Sequence, residues 1–405
     1  MARFVNYAPG QAWLLPPRVE DELGKEHLAC FIHELVERLD LTAFEVVYSD
    51  DGRPAYPPQM MLKLWLYAYA RGLTSSRKLE QLVREDLGFR FLAAGWKPDF
   101  WTLNEFRRRH PKAVNDVFTQ VLEAAREMGM GKLGRVAIDS TRVKANASID
   151  RADKAESLRR ERARIRQRIR RWQQKANRDN NEETPPEPDE MKPWRRRLDE
   201  IPRQLKQLRK SKQKRASRTD PESRYLRKRG GFCLGYSAEV AVSDDHLIVA
   251  HTVHQRANDA ASLEAMVKQT KRECGAYPQA VLADSGYYSQ QQIQAVERRK
   301  VETYVPDAVL AKELAGGERV EMNERQRKRT PGLYEMRERL RGPTAREQIK
   351  RRKALVESVF GTLKQQRGMR QFWRRGLEAV RTEWSWATTA FNITRMFHQR
   401  LEPAS

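Results

Sequence analysis

Apolar residues recur at helical spacing through the first 130 residues of the chain. After Pro57 and Pro58, one helical face follows the i, i+3, i+4, i+7 pattern through Met61, Leu64, Trp65 and Ala68. Residues 71–74 are predicted to end this helix and to cap the next one. The buried side of that second helix is predicted to consist of Leu79, Leu82, Val83 and Leu87. We therefore predict an all-α domain over residues 1–130. Its two helices are typical of a DNA-reading helix-turn-helix and equally of an ordinary helical hairpin.

The pattern changes to short β-branched runs from Leu133 onward. A buried strand is predicted at 136–138, with Asp139 at its end. Strands are further predicted at 232–242, 247–253, 280–283 and 301–305, alternating with helices at 259–273 and 290–298. This order indicates an α/β domain with a mixed sheet, formed by residues 131–150 and 231–405.

A strongly basic segment, residues 151–230, separates the first of these strands from the rest. It contains 28 Lys and Arg against 13 Asp and Glu, a net charge of +15. Sparse apolar residues lie at roughly helical spacing on both sides of an acidic break at 182–190. We predict an inserted basic helical hairpin, with a disordered basic tract as the alternative.

The charge of the whole chain narrows the class of partner. The 405 residues include 78 Lys and Arg against 54 Asp and Glu, for a net charge of +24 and a pI near 10.1. Such a field attracts polyanions, so nucleic acid is the first partner to consider. The longest apolar stretch, near 60–70, is short and is interrupted by Lys63. We expect a soluble cytoplasmic protein without a membrane partner.

Cysteine and histidine give little support for a structural metal. Cys30, Cys233 and Cys274 are odd in number and far apart, which excludes a disulfide framework and a CxxC zinc site. We expect them to be buried as small hydrophobes. His251 and His254 lie in a predicted strand without further ligands at zinc spacing, so zinc is not expected.

Three carboxylates stand where they could share a magnesium site. Asp139 and Asp284 each end a predicted strand, and adjacent strands would bring both acids to one edge of the sheet. Glu357 lies on a predicted helix beside a line of cations formed by Lys350, Lys353 and Lys364. Each acid alone has an ordinary explanation as a helix cap or an i, i+4 ion pair. Together they match the oxygen ligands that two Mg²⁺ ions need at a phosphodiester, with Mn²⁺ as a substitute.

Basic residues near these acids and in the inserted segment are candidate phosphate contacts. The predicted DNA-binding side chains are Lys350, Lys353, Lys364, Arg107, Arg108, Arg164, Arg168, Arg171, Lys206, Arg209 and Lys210.

Three blocks of sequence resemble a known family. IDSTRVKANAS at 138–148, LADSGYYS at 282–289 and LVESVFGTLK at 355–364 are similar to the catalytic blocks of bacterial insertion-sequence transposases of the DDE type. In the third block, Lys353 replaces the family's Arg and Lys350 replaces its Tyr. The N-terminal helices also resemble the domain that precedes the catalytic one in these proteins. The resemblance covers roughly residues 15–145 and 232–400.

The resemblance implies an RNase H-like catalytic domain in which Asp139, Asp284 and Glu357 are the catalytic and metal-binding residues. It implies cleavage at the terminal inverted repeats of an element and joining to target DNA, by a homodimer in the nucleoid of a prokaryote. Two alternatives remain open. An RNase H-like nuclease or resolvase would cut without joining, and a transposase-derived repressor would bind DNA without cutting it.

Overall fold

The computed structural model describes residues 18–48, 54–148, 152–179, 189–211, 215–228, 231–256 and 258–401. Residues 182–188 of the predicted acidic break, and residues 1–17 of the predicted N-terminal domain, lie outside the described residues. Between residues 18 and 130 the described chain forms eight helices: α1 Val19–Leu23, α2 Leu28–Glu37, α3 Thr42–Glu45, α4 Pro58–Ala70, α5 Ser76–Glu85, α6 Leu87–Ala93, α7 Phe100–Arg109 and α8 Pro111–Glu127.

Side-chain caps and prolines set the starts of these helices. Ser75, Asp86 and Asp99 each accept a hydrogen bond from a backbone N–H in the first turn of α5, α6 and α7. The cap at Asp86 corrects one prediction, because it starts a new helix at Leu87. That residue is 36% exposed and does not extend the buried side of α5.

The helix α4 is buried on every side, although its sequence predicts a single apolar stripe. All residues from Met60 to Tyr69 are buried, because α4 lies between α2, α6 and the C-terminal helix. The turn after α4 is also packed, since a Cβ at Gly72 would lie 2.9 Å from the Cα of Arg367. Any DNA-reading face of this helix pair would therefore have to be on α5.

The second part of the chain is built on a six-stranded mixed sheet. The described residues form eight strands in total: β1 Arg135–Lys144, β2 Ala152–Lys154, β3 Arg215–Ser217, β4 Arg224–Lys228, β5 Gly231–Ser243, β6 Ile248–His254, β7 Ala280–Leu282 and β8 Glu302–Tyr304. The main sheet has the order β4-β5-β1-β7-β8, with β6 also paired to β5. The strands β1, β7 and β8 are parallel, and β5 is antiparallel to β1, β4 and β6. The predicted mixed α/β sheet is confirmed.

The first strand is longer than predicted. It continues past Asp139 to Lys144, because the 13-residue strand β5 pairs with it along this whole length. The two strands approach closely at Gly235, where a Cβ would lie 2.2 Å from the carbonyl oxygen of Val143. Asp139 is therefore in the middle of β1, and the prediction that it ends the strand is wrong.

Further helices of the described chain surround the sheet or extend from it: α9 Ala155–Asp179, α10 Lys192–Ser211, α11 Leu263–Cys274, α12 Gln290–Glu297, α13 Ala308–Leu314, α14 Glu324–Arg329, α15 Pro331–Arg341, α16 Pro343–Gly361 and α17 Leu377–Leu401. The long helix α17 contacts α4 and α8 on one side and β6 on the other. It therefore joins the helical region to the sheet through one continuous apolar core.

The basic segment contains both helices and strands. Helices α9 and α10 pack together around a separate apolar cluster that includes Leu158, Ile165 and Ile201. The small sheet β2-β3 closes the base of this pair, and Arg197 links the two sides through ion pairs with Asp153 and Glu161. Strand β4, also within residues 151–230, is part of the main sheet and was not predicted from the sequence.

Candidate active site

Two aspartates meet on one face of the central sheet. The strands β1 and β7 run parallel with Ala137 opposite Leu282. Asp139 lies two residues after Ala137, and Asp284 lies two residues after Leu282. The parallel pairing therefore brings these two side chains beside each other. Asp284 follows β7 and caps a short 3-10 turn, Ser285–Tyr287, where its Oδ1 accepts a hydrogen bond from the N–H of Gly286 at 2.9 Å.

The surroundings of Asp139 disfavour its charged form. Its side chain is only 20% exposed. Burial raises the pKa of Asp139 to about 6, the cation of Arg352 opposes this rise, and the negative charge of Asp284 adds to it. A cation placed between the two carboxylates would offset both the cost of burying the Asp139 charge and its repulsion from Asp284. The pair is therefore a suitable anchor for a metal ion with oxygen ligands.

A guanidinium from α16 already provides a cation at this position. Nη1 of Arg352 donates to Oδ2 of Asp139 at 3.0 Å, and the Arg352 side chain is 15% exposed. Arg352 lies within a run of four basic residues, 350–353, whose composition does not distinguish it from its neighbours. Helical spacing could have done so, because Arg352 shares the buried direction of Val356 and Val359.

Glu357 lies on the same helix but faces another direction. At about 100° per residue, it is turned by about 140° from Arg352. Its side chain is 65% exposed, with Oε1 3.9 Å from Nζ of Lys353. The structure thus brings two of the three predicted acids together and places the third on the solvent side of α16.

The predicted lysines of this helix have different surroundings. Lys350 and Lys353 are exposed. Lys364 is half-buried, and its ammonium donates to the hydroxyl of Thr141 and, at 3.3 Å, to the carbonyl oxygen of Arg142. It follows Gly361 in a π-helical turn, Thr362–Gln366, that continues directly from α16. Lys364 therefore contacts a residue only two positions from Asp139 along β1.

A second polar cluster is buried near the two aspartates. Glu239 on β5, His254 at the end of β6 and Asp259 beyond it bring one ligand atom each to within 4.8 Å of one another. The sequence indicated His254 only together with His251. Glu239 could have been noticed as a lone charged residue in the apolar run 238–242.

The three cysteines are buried and free, as predicted. His251 is also buried, which lowers its pKa to about 3, and its ring packs edge-on against Phe118. This environment explains His251 as a neutral core residue.

Most of the predicted DNA-binding side chains are exposed, and Arg107 is the clear exception. The exposed residues among the candidates are Lys350, Lys353, Arg108, Arg164, Arg168, Arg171, Lys206, Arg209 and Lys210. Arg107 is buried, stacks over Trp65 at 4.4 Å and donates to the carbonyl oxygen of Thr74 at 2.7 Å. Because its guanidinium is occupied inside the helical region, Arg107 is not available as a phosphate contact.

Comparison with known proteins gives two family matches. Residues 17–109 match a family model described as a transposase domain (DUF772). Residues 131–393 match a family model described as a transposase DDE domain, which covers more than half of the chain. No curated protein matches the sequence. None of the helices in the described residues has the length and apolar content needed to cross a membrane.

Proposed function

Because this chain belongs to the transposase DDE domain family, we propose that it binds the ends of an insertion element and catalyses metal-dependent cleavage and strand transfer. The observation that supports this proposal most directly is the proximity of Asp139, on β1, to Asp284, which follows the adjacent parallel strand β7. The strand order of the main sheet further supports the RNase H-like fold proposed for residues 131–150 and 231–405. We also propose that the active complex is a homodimer on paired ends of double-stranded DNA, within the nucleoid of a prokaryotic cell.

The residues present suit a divalent metal. Two carboxylates supply hard oxygen ligands, and Arg352 shows that their site accepts positive charge. Asp139 and Asp284 would hold the metal, Mg²⁺ or Mn²⁺, and Glu357 would complete the set. When bound, two such ions lower the pKa of a water or 3′-hydroxyl nucleophile and stabilise the leaving oxygen at phosphorus.

The chain's own cations complete the proposed site. Lys364 is fixed against β1 by Thr141 and can hold a phosphate beside the scissile bond. Arg352 would leave Asp139 when metal enters, and its guanidinium would then be free to pair with a phosphate oxygen of the DNA. Glu357 would have to turn toward the sheet on assembly with DNA, since it now faces solvent.

Cleavage of the element's own ends tests this function. The purified chain is incubated with Mg²⁺, target plasmid and a labelled fragment carrying the inverted repeats that flank its gene. We expect new 3′-hydroxyl ends at the repeat boundary, followed by joined products. Glu357→Gln should reduce cleavage by about 10³-fold, because it removes a metal-binding charge worth several kcal/mol.

Glu347→Gln is the matched control, since Glu347 is exposed on the same helix and has no predicted role. Cleavage without joining would support the nuclease alternative, and binding without cleavage would support the repressor. Wild-type activity in Glu357→Gln would remove Glu357 from the site.

The basic helices α9 and α10 would act as a DNA clamp beside the catalytic domain. They carry exposed cations along their length, and the segment leaves the sheet after β1 and returns to it at β4. Arg168 is stacked over Trp194 at 4.6 Å between the two helices, so it contributes to their packing as well as to their charge. A test of the clamp should leave this residue in place.

Neutralising the clamp should weaken DNA binding and its salt dependence. The variant replaces five exposed cations with Gln: Arg164, Arg171, Lys206, Arg209 and Lys210. If about three or four of these contact phosphates, the slope of log affinity against log salt becomes shallower by about 3 units. Fluorescence anisotropy between low and moderate salt measures this slope. A control that exchanges Arg and Lys at the same positions keeps the charge and should keep the slope. An unchanged slope in the Gln variant would show that the clamp cations do not touch DNA.

A further inference from the structure

Two hydrogen bonds, one buried and one partly buried, connect the segments that carry Asp139 and Asp284 to nearby carboxylates. The hydroxyl of Tyr287 donates to Oε1 of Glu239 at 3.1 Å, and both side chains are fully buried. Burial, with Glu239 as the nearest charge, raises the pKa of Tyr287 well above its usual value, so the hydroxyl keeps its proton and remains a donor. The hydroxyl of Ser140 donates to Oδ2 of Asp259 at 2.8 Å.

His254 lies between these two carboxylates. Its Nε2 is 3.1 Å from Oε1 of Glu239 and 3.6 Å from Oδ1 of Asp259. Its Nδ1 accepts a hydrogen bond from the N–H of Arg256 at 3.1 Å, so a neutral ring carries its proton on Nε2, toward the carboxylates. A histidine that binds metal usually has the opposite arrangement, with the other ring nitrogen donating. Asp259 is also 3.4 Å from the guanidinium of Arg142, which already supplies a cation.

The two residues that donate to this cluster, Ser140 and Tyr287, lie close in sequence to Asp139 and Asp284. Ser140 follows Asp139 directly, and its side chain points to the other face of the strand. Tyr287 closes the 3-10 turn in which the N–H of Gly286 holds the Asp284 carboxylate. A chain of contacts from Ser140 through the cluster to Tyr287 therefore connects the backbone of one aspartate to that of the other. Two atoms of this cluster, Oε2 of Glu239 and Nε2 of His254, are buried without a hydrogen-bond partner among the described residues.

We propose that Glu239, His254 and Asp259 form a positioning network that fixes the spacing of Asp139 and Asp284, and that they do not form a second metal site. This inference rests on the proposed function, because it assigns the two aspartates to a shared metal. Its residues touch neither metal nor DNA. They act through Tyr287 and Ser140 on the backbone that carries the metal ligands.

Removing one of the two donors to the network should weaken metal binding while the chain remains folded. We expect Tyr287→Phe to bind Mn²⁺ about tenfold more weakly than wild type, as loss of a supporting hydrogen bond does at other metal sites. Electron paramagnetic resonance of free Mn²⁺ measures the affinity directly and does not require catalysis. DNA affinity should be unchanged, and thermal unfolding should show that the fold is retained.

Ser140→Ala removes the opposite end of the network and gives a second test if Tyr287→Phe does not fold. The matched control is Tyr288→Phe, because Tyr288 is half-buried and packs against the separate apolar cluster around Leu310. Wild-type Mn²⁺ affinity in both Tyr287→Phe and Ser140→Ala would overturn the network. Purified wild-type protein containing one equivalent of transition metal that is absent from His254→Gln would overturn it in favour of a metal site. If wild type binds Mn²⁺ but does not cut DNA, the proposed function fails and the network is still tested.

Discussion

Asp139→Asn is expected to abolish metal-dependent cleavage while DNA binding remains intact. The amide keeps the shape of the side chain but loses the charge that binds the metal. The loss of several kcal/mol of transition-state stabilisation corresponds to a rate decrease of about 10³-fold or more. Single-turnover cleavage of a labelled end, with binding followed by anisotropy, separates the two effects.

The fold should tolerate this substitution well. The amide would lose the ion pair with Arg352, but the repulsion from Asp284 would also disappear. We therefore expect the thermal midpoint to stay close to that of wild type. Asp116→Asn, at an exposed position on α8, is the control for an Asp-to-Asn change away from the site. Cleavage by a folded Asp139→Asn protein at the wild-type rate would contradict the assignment of Asp139.

The second large effect is expected at Trp65, in the centre of the helical region. Trp65 is fully buried, and its Nε1 donates to the carbonyl oxygen of Leu103 at 2.9 Å. Arg107 stacks over its ring, so truncation would also leave a buried guanidinium without this partner. Trp65→Ala should lower the free energy of unfolding by roughly 3–5 kcal/mol.

Urea unfolding followed by circular dichroism measures this loss. Trp101→Ala provides the comparison, because Trp101 is 65% exposed and its removal leaves no cavity. That variant should stay within about 0.5 kcal/mol of wild type. Similar midpoints for the two variants would show that burial at position 65 contributes much less than its packing indicates.

The sequence predicted the mixed sheet because strand signals are local, and it predicted that Asp139 and Asp284 would meet if their two strands were adjacent. Short β-branched runs mark the strands, and each aspartate follows such a run. The length of β1 was not predictable in this way, since residues 139–144 contain polar side chains and are held in the strand by β5. Long-range pairing decided that part of the fold.

The contacts of individual charged residues could also not be predicted from the sequence. Arg107 and Arg108 are neighbours in one basic run, yet the first is buried against Trp65 and the second is exposed. Arg352 and Glu357 are five residues apart on one helix, and only the first contacts Asp139. Composition gives the total charge, whereas tertiary packing determines which cations face solvent.

The π-helical turn after α16 contains one extra residue in the helix, close to Glu357. A π turn accommodates one more residue than an α turn, and such turns occur frequently at functional sites. If such a π turn moves along a helix, each residue between its old and new positions shifts by one residue. That residue then points in the direction of the residue before it, which is a rotation of about 100° about the helix axis. If the turn moved from Thr362–Gln366 to a point between Arg352 and Glu357, Glu357 would take the direction that Val356 now has, about 40° from Arg352. A single-residue slip within the helix, without movement of either end, is sufficient to swing the third carboxylate from solvent toward the sheet.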